Sequence, residues 1–484
     1  MSKFGMWQTV LVIENDILNN GTLSSIPGNS GDLNLAAINI VGGGSYKGLE
    51  KYFLKSNHFD APSAETTKEF NISYDVKVYG IGPVKVSIPD WQFPDMKKLF
   101  ASWNSVDIPH PREGFVDPVG VYWSPNSINK DTATRTTLRS AYYDRIASKR
   151  SNLELLTGTH FTSKNMGVQS QAVAAKEVIL AAGGVFTPHL LMVSGIGPKD
   201  VLQAAGVTIK MDLPAVSSNF QDHIANYMNF NLEGYAKDSI VAINTNATYN
   251  QTVYDLYLSS KTGPYSVGRA NGLVFMALQH FEPTYKAIVD KIRAQRAENF
   301  LPERYSKSAP LLHGFKKQVD ILAKQFAAAK AAVGEIVIQP WGFSGIANNK
   351  PLSRGAITLN TTHPEAYPIV QWNTIQNPHW ARPELASYNP VETSPGLQYQ
   401  TDEEIVQGGI KSGSLSPTFA HPSGGCSMMP ESLGGRVNEK LQVYGVAKLS
   451  VIDASIIPLI PATHLQATMY AIAEKASDII KARA

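Results

Sequence analysis

Histidines are the side chains in this sequence best suited to move protons near neutrality, because an unperturbed imidazole titrates at about pH 6.5; the chain has 11, His421 and His464 among them. Taken singly, each also reads as an ordinary core or surface histidine. Two acids stand at the ends of short β-prone runs. Glu14 follows Val10–Ile13, and Asp453 follows Lys448–Ile452. The carboxyl end of a strand is where ligands collect in open α/β sheets, and an acid there can bind ribose hydroxyls. Asp453 reads equally well as a turn acid or a helix cap. Asp222-His223 invites comparison with a hydrolase triad, but Ser194-Gly195 is preceded by Val193 and no Gly-x-Ser-x-Gly elbow accompanies the pair. The histidines lack metal-ligand spacing, so no metal is expected. Cys426 is the single cysteine, which excludes an internal disulfide.

The elements that must carry these residues are legible in outline. Residues 176–197 read as a strand end (Lys176–Leu180), a glycine break at Gly183-Gly184, and a short helix that stops at Ser194-Gly195. From His464 onward, Leu465, Met469, Ile472, Ala476 and Ile479 form one apolar helical stripe. That stripe puts His464 at a helix amino end, where free N–H groups and the helix dipole favour an anion. A further helix is expected over Leu311–Gly334, the Ala-rich stretch Lys324–Val333 included. The chain has 484 residues and 43% hydrophobic content, enough for two or three domains. Its net charge of +3 comes without long runs of either sign, so neither nucleic acid nor a membrane surface is an expected partner. No apolar run approaches the roughly 20 residues of a membrane span. With no signal peptide legible, a soluble protein is expected, the cytoplasm favoured.

The string Gly183–Gly197 closely resembles the second signature of the glucose-methanol-choline (GMC) oxidoreductases, a family of FAD-dependent alcohol oxidases and dehydrogenases. Other segments resemble the family in the same order: Val119–Ser127 with Arg139–Tyr143, which is similar to fungal members tied to secondary metabolism, then Asn152–Gly158, Pro214–His223, His421–Met429, Val451–Ser455 and His464–Thr468. The resemblance implies a mixed α/β fold. A discontinuous FAD-binding domain is expected from 1–57, 140–230 and 415–484, and a substrate domain with an antiparallel sheet and helices from 58–139 and 231–414. Glu14 and Asp453 are then expected on one sheet. The resemblance further implies His421 and His464 as the catalytic pair, a small alcohol as substrate, and FAD held by Glu14, Gly43, Gly44, Ser45, Asp453, Ala454 and Leu465.

Three departures stand against that pattern. Gly184 occupies a position where the family usually has Ala, Ser, Thr or Pro. No Gly-x-Gly-x-x-Gly turn stands about 20 residues before Glu14, where dinucleotide-binding units carry it. The loop after Ser45 is short, giving an apparently truncated FAD-binding region. FAD is therefore expected to bind weakly or not at all. The alternative function is that of a flavin-free relative, a non-oxidative cyclase, a dehydratase or an inactive scaffold.

Overall fold

Eleven strands and four helices position the site, in a computed structural model that describes residues 12–14, 46–157, 174–268, 271–296, 301–372, 391–394 and 402–483. The strands are β1 (Val12–Glu14), β2 (Gly120–Trp123), β3 (Leu153–Leu155), β4 (Val178–Leu180), β5 (Ile224–Asn231) and β6 (Gly272–Met276). They continue with β7 (Gly334–Ile338), β8 (Phe343–Asn348), β9 (Val391–Ser394), β10 (Leu415–Ser416) and β11 (Leu449–Val451). The helices are α1 (Tyr46–Ser56), α2 (Gly183–Val193), α3 (Ala309–Phe326) and α4 (Leu465–Arg483). The fold is mixed α/β.

The largest sheet has seven antiparallel strands in the order β9-β5-β8-β7-β6-β2, with β10 also paired to β5. Its period-two alternation decides where β7 presents its one acid. Ile336 and Ile338 join Val121, Trp123, Val274 and Met276 in an apolar cluster on one face, which turns Glu335 to the other face. Strands β5 and β10 lie in segments that the sequence assigns to the nucleotide-binding unit, yet both pair in this sheet.

A second core gathers elements from distant parts of the chain. Leu49, Tyr52 and Phe53 of α1 pack with Leu191 and Met192 of α2, Val451 of β11, and Ala471, Ile472 and Ala476 of α4. The expected stripe of α4 is this buried face, with Met469 and Ile479 partly buried at its margin. Strands β4 and β11 pair in parallel, Val451 opposite Leu180. Strand β1 pairs instead with β3, antiparallel, Glu14 opposite Leu153. Among the described residues Glu14, at the end of β1, and Asp453, in the turn after β11, therefore belong to two separate two-stranded sheets, contrary to expectation, because no described strand bridges β1–β3 and β4–β11.

Helix α3 also departs from the sequence reading. It ends at Phe326, well short of Gly334. The Val333 N–H donates to the Met276 carbonyl at 2.8 Å, and Gly334 opens β7, so sheet pairing overrides the helix propensity of the Ala-rich stretch.

Candidate active site

The residues before His421 form a turn with a carboxylate at its centre. Asp222 accepts the Thr418 hydroxyl at 2.6 Å and the amides of Phe419 and His421 at 3.2 and 3.0 Å. The Thr418 hydroxyl in turn accepts the Ala420 amide at 2.9 Å. Ala420 sits in the left-handed region with φ 62°, a conformation that costs a residue with a Cβ about 1–2 kcal/mol and that these bonds hold in place. Burial pushes the Asp222 carboxyl up to about 6, against the pull of its donors. The carboxylate thus aims His421 by fixing its backbone.

His464 arrives from the opposite side, immediately before α4. The two rings lie 5.7 Å apart between centroids and are inclined by 43°. Phe419 contacts both rings, at 5.6 Å from His421 and 6.1 Å from His464. The fold thus brings together the two histidines that the resemblance pairs. His464 keeps 46% of its side-chain surface open.

Glu335 completes the arrangement. Its side chain is 0% exposed, and its Oε1 lies 2.5 Å from His464 Nε2 while Oε2 accepts from Asn349 Nδ2 at 3.0 Å. Burial acts to raise the Glu335 carboxyl, but the charge and hydrogen bond of His464 outweigh it and hold the group ionised, below its ordinary value. For His464 the same balance runs the other way: burial lowers it, and Glu335 raises it above an ordinary histidine. Among the described residues no carboxylate is hydrogen-bonded to the His421 ring. Burial and the neighbouring His464 push it down to about 4, so it is neutral at pH 7. The pair thus combines a proton acceptor with a carboxylate-backed donor, the division of labour that acid–base catalysis needs.

Sequence reasoning missed Glu335, although an acid inside the apolar run Gly334–Ile338 is a readable sign of a buried, partnered charge. It also set His223 aside. That ring is fully buried, with its Nδ1 2.9 Å from His421 Nδ1.

The remaining expected residues fall as follows. Asp453 Oδ2 accepts the Gly183 amide at 3.0 Å and the Thr187 hydroxyl at 2.5 Å, and its Oδ1 accepts the Ser455 amide at 2.8 Å. It ties the amino end of α2 to the turn after β11, the capping role weighed from sequence. The Ala454 carbonyl accepts the Gly424 amide at 3.1 Å, and Leu465 is buried at the start of α4. Gly43, Gly44 and Ser45 lie outside the described residues, as does the Glu14 side chain. Gly184 is explained by contact: a Cβ there would stand 2.1 Å from the Pro422 carbonyl oxygen. No group of histidine, cysteine and acidic residues able to hold a metal occurs among the described residues.

The flavin that the resemblance implies can be tested against its two ends. At the redox end the donor set fits: a neutral imidazole and a carboxylate-backed imidazole stand together at the amino end of α4. At the pyrophosphate end, the expected Gly43, Gly44 and Ser45 lie outside the described residues.

Comparison with known proteins finds relatives of one family. Two family models described as GMC oxidoreductase match residues 134–225 and 351–473. The Emericella nidulans protein named dehydrogenase xptC is 32% identical over 483 residues, covering 91% of this chain and 76% of that one. A GMC oxidoreductase family protein of Malassezia sympodialis, Mala s 12, is 29% identical over 90% of this chain and 73% of its own. Among solved structures, an FAD-dependent oxidoreductase from Chaetomium thermophilum superposes with a TM-score of 0.84 at 30% identity, covering 93% of this chain and 83% of that one. A fungal aryl-alcohol oxidase gives 0.80 at 27% identity, with the same coverage. No helix among the described residues is long and apolar enough to cross a membrane. By its sequence and its fold, this chain belongs to the GMC oxidoreductase family.

Proposed function

We propose that the chain is an FAD-dependent oxidoreductase that converts a CH–OH group of a small organic metabolite into a carbonyl. The observation that carries this reading is the pairing of two imidazoles 5.7 Å apart with opposite proton affinities, His421 pushed down to about 4 and His464 held up by buried Glu335. His421 takes the hydroxyl proton. His464, whose proton affinity Glu335 raises, donates to the same oxygen and stabilises the alkoxide as charge develops there. FAD, when bound, supplies the acceptor for the hydride that leaves the carbon with both C–H electrons. Phe419 lies against both rings and excludes water from one side of the pair. We also retain the division into a nucleotide-binding unit (1–57, 140–230, 415–484) and a substrate unit as part of this proposal.

Alcohol-dependent reduction of a dye acceptor, with FAD in excess, tests the assignment. His421→Ala and His464→Ala are each expected to slow dye reduction by about 10²-fold or more. Variants as fast as the parent would remove both residues from the mechanism. A second reading rests on the proton-transfer geometry alone, which needs no flavin. The same imidazole pair can run a non-redox cyclisation or dehydration, and such a protein would act on its substrate without reducing any acceptor.

A further inference from the structure

His223 has no part in the chemistry proposed above, yet it makes the one polar contact to the His421 ring found among the described residues. The adjacent pair Asp222-His223 leads into β5, where successive side chains point to opposite sides. Asp222 accordingly serves the backbone of the 418–421 turn, and His223 serves the ring. The two rings are nearly perpendicular, at 87°, with centroids 4.9 Å apart.

A 2.9 Å contact between two Nδ1 atoms holds only one proton. In one arrangement His421 carries Nδ1–H and donates it, which leaves its Nε2 lone pair free to take a proton. In the other His223 donates, and His421 bears its hydrogen on Nε2, where it cannot act as a base. The surroundings of His223 choose between them. Its Nε2 is buried without a hydrogen-bond partner among the described residues. The Pro461 carbonyl stands close enough to favour a ring proton, and with Nδ1 committed to His421 that pull falls on Nε2. A buried lone pair facing the carbonyl would be repelled, whereas an N–H is attracted. The charges that face His223 come from His421, Lys350 and His464, and all oppose a second proton on it. Lys350 is itself buried, 3% exposed.

We infer that His223 is a positioning residue whose Nδ1 lone pair accepts the His421 Nδ1–H and so fixes His421 as the tautomer with a free, basic Nε2. This rests on the proposed role of His421 as the base. A wrong tautomer at a catalytic imidazole costs up to about 10⁴ in turnover, which makes such control worth a buried side chain.

Nitrogen-15 labelling of the histidine side chains in the full chain, read by long-range proton–nitrogen correlation at pH 7 without flavin, reports the tautomer directly. His421 is expected to be protonated at Nδ1 and bare at Nε2 in the parent. In His223→Leu, which removes the acceptor, the Nε2–H form of His421 should appear. His223→Asn, which keeps an acceptor oxygen, should retain the parent tautomer in part. With FAD and alcohol, His223→Leu should lower kcat by about 10- to 100-fold with KM within twofold, and His223→Asn should recover part of it. His421 found protonated at Nε2 in the parent would overturn the inference whether or not either variant folds, as would an unchanged tautomer in His223→Leu. If the tautomer is as expected but no alcohol is oxidised, the proposed reaction fails and the tautomer assignment stands.

Discussion

Replacing Gly184 by alanine puts one methyl group where the structure has no room for it. The added Cβ would lie 2.1 Å from the Pro422 carbonyl oxygen, 2.6 Å from its carbon and 3.0 Å from the Ser423 nitrogen. Ordinary contact begins near 3.4 Å, so α2 and the 422–423 backbone must part by about 1.3 Å, the difference between 3.4 and 2.1 Å. Neither side yields readily. The amino end of α2 is tied to Asp453 through the Gly183 amide at 3.0 Å. The facing segment is held by Ser423 and Gln221, which exchange amide–carbonyl bonds at 2.8 and 2.9 Å, and by Cys426 N–H to the Ser455 carbonyl at 2.8 Å. Overpacking of this kind costs about 1–3 kcal/mol, and each backbone bond lost adds about 1 kcal/mol. Alanine's better helix propensity returns up to about 1 kcal/mol. The net expectation for Gly184→Ala is a loss of about 1–3 kcal/mol, measured as a lower urea midpoint followed by tryptophan fluorescence. His421 rides on the same segment, so turnover should fall as well. A midpoint equal to or above the parent's would show that the close approach of α2 to Pro422 is not a constraint on the fold.

Three further outcomes follow from the site. Glu335→Gln removes the charge that raises the proton affinity of His464; with a charged hydrogen bond worth about 1.5–3 kcal/mol, kcat/KM should drop about 10- to 100-fold, and a change under twofold would refute the role of the pair. Because His421 is pushed down to about 4, the acid limb of kcat/KM should lie near pH 4; a limb near 6.5 would mean that the base is not this buried imidazole. The sign for stability agrees: the unfolded chain binds a proton at His421 that the folded chain refuses, so stability is full above about pH 6.5 and is lost as pH falls toward 4.

The parts of the site carried by local pattern were legible in the sequence. The place of His464 at a helix amino end followed from the apolar stripe of α4, whose burial depends only on a 3.6-residue period, while its pairing with His421 came from the family motifs. His421 followed from its neighbours in a motif. Glu335 did not, because its contact with His464 spans 129 positions and arises from the register of β7 in a non-local antiparallel sheet. No local period encodes that register. His223 was visible as half of an acid–histidine pair, but only the cross-chain contact to His421 gives it a role. The over-long reading of α3 has the same origin, since the pull of Met276 on Val333 lies in tertiary pairing. Gly184 shows the converse: a residue that departs from its family in sequence is accounted for by one backbone contact.

The most direct test of the account is anaerobic mixing of the protein, reconstituted with excess FAD, with a panel of small aromatic and aliphatic alcohols while the flavin absorbance is followed. The account predicts bleaching by at least one alcohol with stoichiometric carbonyl product, slowed by about 10²-fold or more in His421→Ala. Flavin that stays oxidised with every alcohol, or that bleaches at the parent rate in His421→Ala, would contradict it.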